Sequence, residues 1–74
     1  AAAEADFSAV LDHRPDDAWA RYHRGDARLA SGDVRGAIED FDGFLAAHPE
    51  HPHASRARRS LEEARRRLAD EQKK

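Results

Sequence analysis

Apolar residues recur every third or fourth position along most of the chain, the spacing of one face of an α-helix. The pattern is clearest at Val34, Ala37, Ile38, Phe41, Phe44 and Leu45, a broad stripe at helical period. A thinner, alanine-rich stripe runs through Ala54, Ala57, Leu61, Ala64 and Leu68, and its alternating steps of three and four are of heptad type. Strict alternation of apolar and polar residues is absent and β-branched residues are scarce, so no strand is predicted. Punctuating residues cut the pattern into four helices. The first spans about Ala2 to His13, because Pro15 pushes Arg14 out of the α region. The second spans about Asp17 to Ser31, with Asp16 or Asp17 as its N-cap and Gly32 free to turn left-handed at its end. The third, capped by Asp33, runs from Val34 to Ala47 and is closed by Pro49. The fourth is predicted from Pro52 to Glu71. A proline is tolerated in a first turn, whose amides lack intrahelical partners. Its basic end, Arg65 to Lys74, is expected to fray or extend past the core. The short connections favour antiparallel neighbours.

Sliding the sequence by 34 positions superposes one part on another. Ala3 falls on Ala37, Asp6 on Asp40, Phe7 on Phe41, Leu11 on Leu45 and Pro15 on Pro49. Val10 meets Phe44, and Asp16 meets Glu50. The shared Ala-x3-Phe-x3-Leu-x3-Pro pattern puts three apolar side chains on one helical face and stops the helix after them. A period in this range marks a repeat architecture, in which each unit buries its apolar faces against its neighbours.

Composition limits what such an array can do. With 74 residues, 39% of them hydrophobic and 38% charged, the core is thin and heavily wrapped in charge. A mean hydropathy of -0.97 agrees. The net charge of -2 supplies no field that would draw the chain to nucleic acid or anionic lipid. With no cysteine, disulfides and thiolate metal sites are excluded. No apolar run approaches the roughly 20 residues of a membrane-crossing helix. The opening Ala1-Ala2-Ala3-Glu4 has neither an initiator methionine nor the layout of a leader peptide, which reads as a piece excised from a longer protein. Localisation is left undecided, with the cytoplasm as default and the abundance of alanine and arginine suggesting a bacterial genome.

The segment Tyr22-His23-Arg24-Gly25, followed by Gly32-Asp33, Ala37-Ile38, Asp40-Phe41-Asp42, Leu45 and Pro49, resembles a tetratricopeptide repeat. The resemblance implies an all-α fold of antiparallel helical hairpins, stacked as a short right-handed α-solenoid of about two units. It implies one domain over residues 1–74: the second half of a repeat at 1–17, a complete repeat at 18–51, and a further first helix or capping helix at 52–74. Gly25 and Ala37 stand at the family's small positions, Phe41 at its aromatic position and Pro49 at its closing proline. The sequence departs from the pattern at Arg21, Arg28, Phe44 and Arg59; Arg59 stands where the next unit would carry its glycine. These departures favour a capping role for the fourth helix.

In this family the first helices of successive units line a groove that holds a peptide or a partner helix. The matching positions are Trp19, Tyr22, Asp26, Leu29 and Ala30, with His53, Arg56, Ser60, Glu63 and Ala64 on the fourth helix. Trp19 would anchor an apolar side chain and Arg56 would pair a carboxylate, so the expected partner is a protein or peptide, acidic or aromatic. The same Trp19, Tyr22 and Leu29 also fit an ordinary core stripe at i, i+3 and i+10. Tyr22 and Asp26 stand where some members carry a carboxylate clamp, and an aspartate there argues against one. A second expectation is self-association into a homo-oligomer through exposed repeat ends, Phe7 and Val10 at one and Leu61 and Leu68 at the other.

Other chemistries lack their parts. The fourth helix carries Arg56, Arg58, Arg59, Arg65, Arg66 and Arg67, but Glu62, Glu63 and Asp70 dilute them and no aromatic is interleaved for base stacking. A solvated face with i, i+4 pairs is the simpler reading, and no nucleic acid or membrane partner is expected. His48, His51 and His53 share a loop with Pro49 and Pro52, which should splay the imidazoles apart, so no metal site is expected. No nucleophile elbow or phosphate loop is present, and the carboxylates are read as lying on exposed helical faces. The chain is therefore expected to be non-catalytic and to need no cofactor.

Overall fold

A computed structural model describes residues 2–72, with side chains from residue 5 onward. The side chain of Ala3 and residues Lys73 and Lys74, which entered the sequence reading, lie outside it. Four helices are present: α1 (Ala2–His13), α2 (Ala18–Ser31), α3 (Val34–Ala47) and α4 (Ala54–Gln72). No strand occurs among the described residues.

Local chemistry sets most of the boundaries. The Asp17 carboxylate accepts from the Ala20 amide at 3.0 Å and so caps α2. Asp33 caps α3 by accepting from the Gly36 amide at 3.0 Å. Gly32 leaves α2 at φ 93. The amides of Gly32 and Asp33 then donate to the carbonyls of Leu29 and Arg28 at 3.2 and 2.8 Å, the paired bonds of a Schellman ending. The start of α4 differs from expectation. Pro52 lies in a turn ahead of the helix, where His51 Nδ1 accepts from the His53 amide at 3.1 Å and the His51 carbonyl accepts from Ala54 at 2.9 Å. These two bonds close the backbone before Ala54, so helical pairing begins there.

Packing runs in chain order: α1 lies on α2, α2 on α3 and α3 on α4, with α2 also touching α4. One cluster forms the core, built from Tyr22 and Leu29 of α2, Val34, Ala37, Phe41 and Phe44 of α3, and Ala57, Leu61 and Ala64 of α4. The small residues let the helices approach. A Cβ on Gly25 would sit 2.9 Å from the Phe41 ring, so the missing side chain makes room for the aromatic. Ala37, Phe41 and Phe44 are all fully buried. The alanine-rich seam of α4 packs on α3, which corrects the expectation that Leu61 and Leu68 form an exposed end. Leu61 belongs to the core and Leu68 packs against it half-buried.

The exposed placement expected of the carboxylates fails at Asp40, which is 1% exposed. Arg24 holds it with two bonds, Nε at 2.9 Å and Nη2 at 2.7 Å, and Arg28 adds a third at 3.4 Å. Arg24 also donates to Ser8 of α1 at 3.3 Å. This network ties α1, α2 and α3 together. The arginines of α4 behave as a solvated face: Arg65 pairs with Asp42 at 3.2 Å and Arg67 with Glu63 at 3.5 Å. No helix among the described residues is long and apolar enough to cross a membrane.

Candidate functional site

The face shared by α2 and α4 is an open surface, and no pocket is found among the described residues. Helical spacing puts Trp19, Tyr22, His23 and Asp26 along neighbouring rows of α2. Two of them separate by burial. Tyr22 turns into the core at 5% exposure, whereas Trp19 stays 54% exposed. Trp19 is nonetheless held in place. Its ring meets Phe7 of α1 edge-on at 5.4 Å and His23 at 4.3 Å, while Phe7 and His23 stack at 5.6 Å.

Tyr22 links this group to the other side. Beneath it lie Phe41 at 6.1 Å and Phe44 at 5.6 Å. Beside it, His53 stacks on its ring at 5.1 Å with an interplanar angle of 17°. The strip continues into the α3–α4 loop through His51, 5.4 Å from His53 and 5.1 Å from Phe44. The expected splaying of the loop histidines does not occur. The prolines shape the backbone, but Phe44 gives His48 and His51 a common apolar floor while His53 rests on Tyr22. Among the described residues no His, Cys, Asp or Glu group is arranged to hold a metal ion.

Asp26 is half-buried on the same face. Burial raises its carboxyl above the ordinary aspartate value, against the pull of nearby His23, Arg56 and His53. The structure thus gathers Trp19, Tyr22, Asp26, His53 and Arg56 of the expected set. Ser60 is half-buried further along α4. Leu29 belongs to the core, and Glu63 is exposed in its pair with Arg67. Two members of the strip, Phe7 and His23, were not among the expected docking residues; Phe7 was expected at an exposed repeat end and His23 only within the repeat motif. The i, i+4 spacing of Trp19 and His23 was the available signal for the second.

The helical hairpin of α2 and α3, with α1 and α4 packed on either side, is the architecture of a helical-repeat scaffold. The family model for the tetratricopeptide repeat matches residues 1–52 and residues 22–71, and the chain belongs to that family. Repeats of this family mediate protein–protein interaction and are typically non-catalytic scaffolds. No curated protein and no solved structure matches the chain.

Proposed function

We propose that the α2–α4 face docks an extended segment of a partner protein, with Trp19 as the anchor and Arg56 as the contact for a partner carboxylate. The observation that carries this reading is the Trp19 ring, more than half exposed yet fixed between Phe7 and His23. A large aromatic held in its binding position loses little freedom when a partner covers it, and tryptophan is enriched among residues that dominate interface energy. His53 and Ser60 extend the contact along α4. The partner is an acidic or aromatic peptide, and the segment carries no catalysis of its own.

The proposed division into units at 1–17, 18–51 and 52–74 accounts for the far side. Counting 34 on from α2, Gly25 corresponds to Arg59 and Leu29 to Glu63, both exposed. Their bulk and charge stand where α2 offers a hollow and an apolar contact to α3. This supports α4 as a cap and weighs against a second copy stacking there. A second reading, self-association, rests on the half-exposed Phe7 and exposed Val10 at the α1 end; a monomeric mass by light scattering would dismiss it.

Selection of displayed random peptides against the chain tests the docking reading. Selected peptides should share an aromatic residue and an acid. Trp19→Ala should weaken them by roughly thirtyfold, as expected for loss of an anchor worth about 2 kcal/mol. Arg56→Glu should weaken acidic ones about tenfold. Peptides that bind the Trp19→Ala chain as tightly as the parent would refute the reading.

A further inference from the structure

The 34-residue register superposes α1 on α3, yet their surroundings differ. α3 has α2 on one side and α4 on the other, whereas among the described residues α1 packs on α2 alone. Asp40, Phe41 and Phe44 of α3 are 1%, 0% and 0% exposed. Their counterparts 34 residues earlier are an exposed Asp6, a half-buried Phe7 and Val10 at 36% exposure. The loss of cover is one-sided, because Leu11 stays buried at 7%.

On α3 the cover is supplied by α2. Arg24 and Arg28 close on Asp40 at 2.7 and 3.4 Å. Gly25 leaves room for the Phe41 ring, and Tyr22 meets Phe41 and Phe44 at 6.1 and 5.6 Å. α1 carries the same carboxylate, ring and apolar residue at the same helical spacing. Two requirements follow for whatever covers them. A purely apolar helix would leave the Asp6 carboxylate dry and unpaired, and a bulky residue opposite Phe7 would meet the ring. A helix with an arginine followed by a small residue, as at Arg24 and Gly25, meets both.

We propose that the open side of α1 is an interaction surface for one further helix of this kind, joined ahead of α1 in the same polypeptide, with an arginine locked on Asp6 and a small residue opposite Phe7. The covalent link is favoured because α2 reaches its own place on α3 through Gly32 and Asp33 alone, and so short a tether gives a high effective concentration. The surface is separate from the α2–α4 docking face, and the two stand or fall independently.

The test extends the whole chain with a second copy of its own residues 17–34, placed directly ahead of Ala1. This keeps the register, since residue 35 corresponds to residue 1. A scrambled segment of the same composition is the control. Circular dichroism should show the copied segment as added helix, and the melting temperature should rise by roughly 10 °C over the scrambled control. Asp6→Ala should remove about half of that gain in the extended chain and move the parent by no more than about 2 °C, because only the extension gives Asp6 its arginine. Alanine in place of the arginine that the copy takes from Arg24 should cost the same, and the two changes together should cost no more than either alone. No gain over the scrambled control, or an Asp6→Ala effect of equal size in both chains, would overturn the proposal. A parent that is dimeric by light scattering and becomes monomeric on Val10→Glu would give the surface to a second copy and overturn it as well.

Discussion

Removing the Asp40 carboxylate tests whether an ion network, as well as the apolar core, holds these helices together. The Asp40 side chain is 2% exposed, and Arg24 and Arg28 beside it are 18% and 19% exposed. Asp40→Ala leaves two mostly buried guanidinium groups facing a void. Breaking a buried pair from one side costs about 3–5 kcal/mol. The lower end applies here, because Arg24 keeps Ser8, and Arg28 keeps the Gly36 carbonyl at 3.5 Å and Asp33 at 3.8 Å. A chain of this size has a total stability of roughly 4–11 kcal/mol at ordinary per-residue values. A loss of about 3 kcal/mol would therefore lower the melting temperature by roughly 12–24 °C. Thermal and urea unfolding followed by helical circular dichroism would measure it. Asp42→Ala is the control, since the Asp42–Arg65 pair is 49% and 60% exposed and exposed pairs contribute under about 1 kcal/mol. If Asp40→Ala cost no more than Asp42→Ala, the network would be decoration and the argument for it would fail.

Two further perturbations probe the packing and the docking face. Gly25→Ala adds a Cβ that would stand 2.9 Å from one Phe41 ring atom and 3.1 Å from another, with Phe41 fully buried. Overpacking should outweigh the roughly 1 kcal/mol that alanine gains over glycine in a helix, so urea unfolding should show a net loss of about 1 kcal/mol. A more stable variant would show that the ring shifts freely. Asp26→Asn should act in the opposite sense. Because burial raises the folded-state carboxyl above its unfolded value, Asp26 lowers stability as pH rises through its folded-state titration. The asparagine chain should melt above the parent at neutral pH, with the gap closing as pH falls below the ordinary value of 3.8. A gap of the same size at pH about 3 and about 7 would refute the burial effect.

Short-range chemistry made the framework legible. Pro15, Asp17, Gly32 and Asp33 act on bonds within a few residues of themselves, and the helix ends stand where those residues put them. The 34-residue register carried further, because Gly25, Ala37 and Phe41 must match in size across a hairpin for the helices to meet. Periodicity shows which residues share a face. It does not show which edge of that face a neighbour covers. The placements of α1, α3 and α4 decided that Tyr22 packs against Phe44 and His53 while Trp19, three residues earlier, remains in solvent. The same placements enclosed Asp40 between two arginines from another helix and turned Leu61 inward. They left Asp26 partly dry without an ion-pair partner. The sequence by itself thus determined the helices, their ends and the repeat. Burial and pairing were decided by tertiary structure, because they depend on contacts between residues far apart in the chain.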